Sequence, residues 1–268
     1  MVALSLNDFF SKDYVWTDRI LGDTGFSKKR NIDQIEREYN LDKYKSLFDL
    51  NLPDMEAYKV REFEFSGIKQ DQEIKMSFKD ELFKMPLKRA RLIAYNIFID
   101  LIKPYLSERN CELGCGYGFN LQLIKGNNYG GEYSKYVVDL GKRLGQDIVE
   151  FNYYNQEDYN FIKPGSTVFT VHSIEQMPDA RVIIDSLYKQ KDKINYVVHC
   201  DPSYLSHRSN FIGRARNKYI ELNDYNRNLF SYITSRTDII EIIALEYDVI
   251  SMQINPLNST NFIAYKFK

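Results

Sequence analysis

The sequence predicts an α/β chain built on a mostly parallel sheet with helices on both faces. Three observations carry that expectation. From residue 86 onward, short apolar runs alternate with amphipathic stretches at the pitch of strand-helix crossovers. A glycine-rich turn, Cys111-Glu112-Leu113-Gly114-Cys115-Gly116-Tyr117-Gly118, ends one strand and opens a helix. From residue 239 the helical spacing stops and two β-rich runs, 239–252 and 262–267, flank a turn, the pattern of an antiparallel hairpin closing a parallel sheet.

Composition agrees with a folded chain. Of 268 residues, 44% are hydrophobic and 27% charged, which excludes a mainly disordered polymer. Lys and Arg number 36 against 37 Asp and Glu, so no basic excess exists to draw a nucleic-acid backbone. Cys111, Cys115 and Cys200 make no disulfide framework, and with 3 His they show no zinc spacing, so no metal is expected. Reduced thiols and the absence of a signal peptide point to the cytoplasm. No run approaches the ~20 apolar residues of a membrane span.

Residues 1–85 read as an irregular, mainly helical cap, and residues 86–268 as the sheet domain. Within the cap, Ile35, Tyr39, Leu41, Tyr44, Leu47 and Phe48 give Asp33–Phe48 a helical face. The alternation over Tyr58–Phe65 reads as a short strand. Pro86 suits the first turn of a helix whose apolar face is Leu92, Ile93, Tyr95, Ile97, Phe98, Leu101 and Ile102, stopping near Pro104. Seven strands follow: 110–113, 129–133, 147–151, 167–172, 195–199, 239–252 and 262–267. Helices at 120–124, 135–144 and 179–190 lie between the early ones, and the final pair is joined by Asn-Pro-Leu-Asn-Ser. An inserted helical segment, 204–232, carries Arg208, Arg214 and Arg216 among aromatics. It reads either as a solvated surface or as a wall holding an anionic group such as phosphate.

Chemistry concentrates at the carboxyl ends of the strands, where open α/β sheets bind ligands. Gly114, Gly116 and Gly118 let the backbone approach a ligand, and the helix starting at Asn120 offers free N–H groups. The G-x-G-x-G spacing disfavours a nicotinamide dinucleotide. Glu132, with Tyr133 and Ser134 after it, ends the second strand, where a carboxylate can accept from vicinal hydroxyls. Asn152 and Tyr153 end the third, with Asp158 as a competitor. His172-Ser173-Ile174-Glu175 follows the fourth, placing His172 and Glu175 one turn apart. His172 has a pKa suited to a base, or is simply bonded beneath the ligand; Glu175 assists it or caps a helix. The fifth ends His199-Cys200-Asp201-Pro202-Ser203-Tyr204, so His199, Asp201 and Tyr204 share that rim.

The run Glu112-Leu113-Gly114-Cys115-Gly116-Tyr117-Gly118, followed by Glu132, resembles class I S-adenosylmethionine-dependent methyltransferases. The resemblance covers residues 86–268 and implies a Rossmann-like fold. It implies that the glycine turn wraps the methionine end of S-adenosyl-L-methionine, that Glu112 orients the turn or meets the amino group, and that Glu132 holds the ribose. It implies further that Asn152 and Tyr153 meet adenine, and that His172 and Ser173 pass beside the methyl group. Asp201-Pro202-Ser203-Tyr204 resembles the Asp-Pro-Pro-Tyr of DNA amino-methylating enzymes, yet follows the wrong strand and has Ser203 where that motif has proline. The tail and His172–Gln176 resemble bacterial sugar and surface-polysaccharide methyltransferases. The expected activity is O-methylation of a sugar, sugar nucleotide or other phosphorylated small molecule, by a monomer or homodimer. His172 would be the base, Glu175 or His199 the assistant, and Asp201, Tyr204, Arg208, Arg214 and Arg216 the acceptor contacts. The alternatives are N-methylation of a small amine and non-catalytic cofactor binding.

Overall fold

The computed structural model describes residues 1–12, 14–22, 24–65, 67–251 and 256–268. Its strands are β1 (Val2–Ala3), β2 (Glu73–Phe78), β3 (Glu81–Pro86), β4 (Arg109–Leu113), β5 (Asn127–Glu132), β6 (Ile148–Glu150), β7 (Ser166–Val171), β8 (Ile194–Asp201), β9 (Ile240–Ser251) and β10 (Thr260–Phe267). Its helices are α1 (Leu6–Phe9), α2 (Val15–Leu21), α3 (Ile32–Ile35), α4 (Lys45–Phe48), α5 (Met55–Glu64) and α6 (Leu87–Ile102), then α7 (Phe119–Leu123), α8 (Lys135–Arg143), α9 (Arg181–Lys189), α10 (Phe211–Leu222) and α11 (Leu229–Ser235). A π-helical stretch, Glu36–Tyr44, runs unbroken between α3 and α4.

All the strands form one sheet in the order β1-β3-β2-β9-β10-β8-β7-β4-β5-β6. The pairs β5–β6, β4–β5, β4–β7 and β7–β8 are parallel; β10 runs antiparallel between β8 and β9. The chain works outward from β4 to β6, then returns to the other side of β4 at β7. That reversal is a topological switch point, and it opens a crevice at the carboxyl ends of β4 and β7.

Strand residues alternate between two buried faces, as a covered sheet requires. Val168, Val197 and Ile263 pack with α9 and α11 through Ile183, Ile184, Leu187 and Ile233. Phe169, Val198 and Ala264 pack on the other face with Ile102 and Val138 from α6 and α8. In α6, Leu87, Ala90, Ala94, Phe98 and Ile102 form the buried stripe expected of a 3.6-residue period.

The seven expected strands are present, and β1, β2 and β3 extend the sheet beyond β9. The N-terminal region is therefore partly sheet. β2 joins β9 through only Ser77↔Ser251 and Phe78↔Ile250. Pro86 ends β3 and sits at the cap position of α6 instead of within its first turn. Residues 58–65, expected as a strand, belong mostly to α5. The Asp54 side chain accepts from Ala57 N–H at 2.8 Å to start that helix, and Met55, Tyr58 and Phe63 are buried from it. Met252 and Asn255, at the expected strand end and turn, lie outside the described residues. No helix among the described residues is long and apolar enough to cross a membrane.

Candidate active site

The glycine turn is shaped by what crowds it. Gly114 has φ +70°, and a Cβ there would lie 1.7 Å from Ser173 Oγ, so the β4 and β7 loops touch only because the side chain is absent. Gly116 also has positive φ, but its missing Cβ faces open space, with Tyr44 Oη nearest at 3.8 Å. Glu132 ties the turn to β5: Gly116 N–H donates to its Oε2 and Ser134 N–H to its Oε1, both at 3.0 Å. Burial raises the Glu132 pKa against these stabilising bonds.

Glu112 is fully buried beneath the turn. Asn120 Nδ2 donates to its Oε1 at 2.6 Å, while Oε2 has no partner among the described residues. Burial pushes its pKa up to about 8. A buried carboxylate with one idle oxygen is costly to keep unless something positively charged or donor-bearing meets it.

Two chambers open beside these groups. The narrower, about 90 Å³, is lined by Glu132, Tyr133, Ser134, Asn152, Tyr153 and Ser173. The wider, about 530 Å³, is lined by Glu112, Gly116, Asn120, Glu175, Tyr219 and Tyr225, among others. Tyr39, Tyr44, Gly114 and His172 border both, so the chambers form one cleft. The helical segment 32–48 roofs it, with Ile32 and Ile35 over the narrow end. The roof is pinned by Lys43–Glu62 at 2.6 Å and by Tyr136 N–H donating to Asn40 Oδ1 at 3.2 Å. A π-helical stretch recurs at functional sites.

His172 sits where the chambers meet, with φ +50°. Its Nδ1 lies 3.2 Å from Glu175 Oε2 and its Nε2 lies 2.6 Å from Thr260 Oγ1. For His172, burial lowers the pKa but the hydrogen bond and charge of Glu175 outweigh it, leaving a net rise. For Glu175, burial raises the pKa and His172, Asn258 and Arg30 bring it below the usual carboxylate range. A carboxylate only accepts, so His172 Nδ1 carries the proton and Nε2, the nitrogen without one, accepts from Thr260 Oγ1.

Several expected site residues lie elsewhere. His199 is fully buried, with Thr170 Oγ1 2.8 Å from Nδ1 and Tyr265 Oη 3.3 Å from Nε2. Burial lowers its pKa to about 3, so it is a neutral core histidine without access to the cleft. Asp201 is equally buried and shapes the β7 loop: its Oδ1 accepts from Ser173 N–H at 2.7 Å and Ile174 N–H at 2.9 Å, and Oδ2 from Thr170 Oγ1. Arg208 and Arg216 do not hold an anion in the cleft. Arg208 pairs with Asp248 at 2.5 Å and donates to Ser203 O and Asn217 Oδ1. Arg216, with no exposed side-chain area, reaches Asp80, Asp248, Ser77 Oγ and Lys79 O. Exposed Arg214 and half-buried Tyr204 line neither chamber. Gly118, with φ +86°, packs against Gln146 at the start of α7 and serves the turn from behind. Asp158 accepts from Asn152 N–H at 2.8 Å and fixes that loop without entering the cleft.

Sequence reasoning expected residues 1–85 as a cap but named none of its residues as part of the site, and it missed the tail. Lys43, Lys59 and Glu62 form a half-buried cluster at the glycine-turn end, with Lys59 Nζ 2.9 Å from Glu62 Oε2 and Tyr117 Oη donating to that oxygen at 2.8 Å. Tyr219 and Tyr225 from the 204–232 segment reach the cleft where its arginines do not. Asn258, in the tail, reaches Glu175. Unusual tyrosine content (21 residues) was the available signal.

No family model and no curated protein matches this sequence. Solved structures do match. Magnesium protoporphyrin IX methyltransferase from Synechocystis, with bound S-adenosylhomocysteine, superposes with a TM-score of 0.52 at 10% identity over 87% of this chain and 96% of that one. The N-methyltransferase NodS from Bradyrhizobium japonicum gives 0.47 at 10% identity over 68% and 88%. The strand order and the former superposition show that this chain has the Rossmann-like α/β fold of S-adenosylmethionine-dependent methyltransferases.

Proposed function

We propose that the protein is an S-adenosyl-L-methionine-dependent methyltransferase acting on a small molecule and releasing S-adenosyl-L-homocysteine. The observation that carries this is the idle, buried Glu112 Oε2 beside an open glycine turn, in the same cleft as Glu132. These groups fit the cofactor. An ammonium group satisfies the lone carboxylate oxygen, and both Glu132 oxygens keep lone pairs for hydroxyl donors. Tyr133, Asn152 and Tyr153 would line the nucleoside end; Glu112, Gly114 and Gly116 the amino-acid end.

When bound, the cofactor supplies a methyl group on a positively charged sulfur. The rest falls to this chain. The roof formed by residues 32–48 excludes water, and the walls align the acceptor; alignment is worth ~7–11 kcal/mol of barrier. His172, oriented by Glu175, takes a proton at Nε2 when the acceptor must lose one, worth ~10²–10⁴-fold. The acceptor enters the wider chamber, whose volume suits a small molecule. Of the O-methylation of a sugar or phosphorylated acceptor expected from sequence, the aromatic walls and a base remain as support, and they serve an amine equally. The phosphate part of that reading has lost Arg208 and Arg216 as support.

Titration with S-adenosylhomocysteine tests the reading. At ~100 times its dissociation constant it adds ~2.7 kcal/mol of stability, while NAD adds none. Labelled S-adenosylmethionine should then mark the small-molecule fraction of a host extract. Absence of binding refutes the proposal; binding without transfer to any fraction leaves a binding protein.

A further inference from the structure

Beside Glu175, two amide carbonyl oxygens are left without partners among the described residues. Asn258 Nδ2 donates to Glu175 Oε2 at 3.1 Å, and Gln176 Nε2 donates to Oε1 at 3.0 Å. A carboxylate accepts and cannot donate, so both amides must turn their NH₂ ends toward it. Their carbonyl oxygens, Asn258 Oδ1 and Gln176 Oε1, are left buried with no partner among the described residues. The Nδ1–H of His172 is committed to the same carboxylate. Arg30, whose charge also acts on Glu175, pairs with Glu38 at 2.8 Å and donates to Asn223 O at 3.1 Å. Lys43 and Lys59 are held at Glu62. Phe98, Tyr39 and Tyr219 supply aromatic walls to the chamber.

Phosphates and carboxylates meet the like charge of Glu175 there, and an alcohol brings a single donor to the idle carbonyls, beside the hydroxyls of Tyr39, Tyr219 and Tyr225. A primary ammonium brings three N–H donors and a charge opposite to that of Glu175. Resting on the methyltransferase reading, we propose that the acceptor is a small primary amine, held as its ammonium by Glu175 with Asn258 Oδ1 and Gln176 Oε1. The ammonium gives one proton to His172 Nε2, in place of the hydrogen bond that nitrogen accepts from Thr260 Oγ1. The freed lone pair forms the N–C bond to the methyl group as the C–S bond breaks. The positive charge leaves sulfur and ends on the methylated nitrogen, so charge balances.

The test uses a matched set of probes, 2-phenylethylamine, 2-phenylethanol and 2-phenylethyl phosphate. Binding to the full chain saturated with S-adenosylhomocysteine is measured by saturation-transfer NMR and calorimetry. The amine should bind at least tenfold more tightly than the other two. Glu175→Gln should remove that preference while S-adenosylhomocysteine affinity stays within threefold, which also reports that the variant is folded. Asn258→Leu should weaken the amine and leave the alcohol unchanged. Equal or tighter binding of the alcohol or phosphate, no effect of either variant, or no binding by any probe overturns the proposal. Failure of S-adenosylhomocysteine itself to bind would instead overturn the cofactor reading beneath it.

Discussion

On the proposed function, Glu112 should couple cofactor binding to the loss of a proton. Its ordinary pKa of 4.5 is pushed up to about 8 by burial, so in the free protein at pH 7 about nine in ten molecules carry it protonated. An ammonium placed at its unpaired Oε2 favours the carboxylate and expels that proton. S-adenosylhomocysteine binding should release ~0.9 proton at pH 7 and ~0.5 at pH 8, and affinity should rise ~10-fold per pH unit up to about pH 8. Calorimetry in two buffers of different ionisation enthalpy counts the protons. Glu112→Gln should abolish the release and weaken binding by ~1.5–3 kcal/mol, the value of a charged hydrogen bond. The same substitution should stabilise the free protein. Between pH 4.5 and about 8 the folded chain binds one proton more than the unfolded chain, so stability falls by ~1.4 kcal/mol per pH unit as pH rises. At pH 7 the gain on removing the carboxyl is ~3 kcal/mol by that slope. Binding with no proton release, or with the same release in Glu112→Gln, would refute this account of the site.

The two glycines of the turn should separate folding from binding. Gly114→Ala forces a Cβ into Ser173 at positive φ and should cost ~2–5 kcal/mol in urea unfolding. Gly116→Ala should cost only ~1–2 kcal/mol, yet lose S-adenosylhomocysteine affinity because its Cβ enters the cleft. Arg216→Ala leaves Asp248 with Arg208 alone and Ser77 Oγ and Lys79 O without their donor, and should cost ~1–3 kcal/mol with ligand affinity unchanged per folded molecule; weakened affinity would restore the arginine to the acceptor site. Imidazole ¹H–¹⁵N spectra should show His172 titrating above 6.5 and His199 neutral down to about pH 4. For His199 the unfolded chain binds the extra proton, so stability falls by ~1.4 kcal/mol per unit as pH drops from 6.5 toward 3, and His199→Gln should flatten that slope.

The parallel core was legible because each of its strands is a short apolar run punctuated by a helix. The glycine turn was legible because few sequences place Glu, then three alternating glycines, at a strand end. Tyr58–Phe65 misled because its apolar spacing fits a period of 2 locally, while the deciding feature, Asp54 capping Ala57, lies outside that window. β2 and β3 carry Lys75, Lys84, Glu73 and Glu81, which hide the strand signal in a hairpin half open to water. The arginines of 204–232 invited an anion because the sequence shows charge without showing its partner. Asp80 and Asp248, far away in the chain, already neutralise Arg216. His199 and His172 look alike in sequence; only depth under the sheet's end distinguishes them.

The joint between β2 and β9 also sets a timetable. Ser77 Oγ and Ser251 Oγ meet at 2.5 Å across 174 residues of chain. At ~5–20 residues per second of synthesis, the β2–β3 hairpin waits ~10–35 s for its neighbour to emerge. Tyr39 and Glu62, from the early part of the chain, likewise wait for Asn258 before the cleft has all its walls. Contacts of such long separation form late, since loop closure must precede them. A nascent chain stopped before β9 therefore has the roof, the glycine turn and His172, but lacks Asn258, the wall that reaches Glu175.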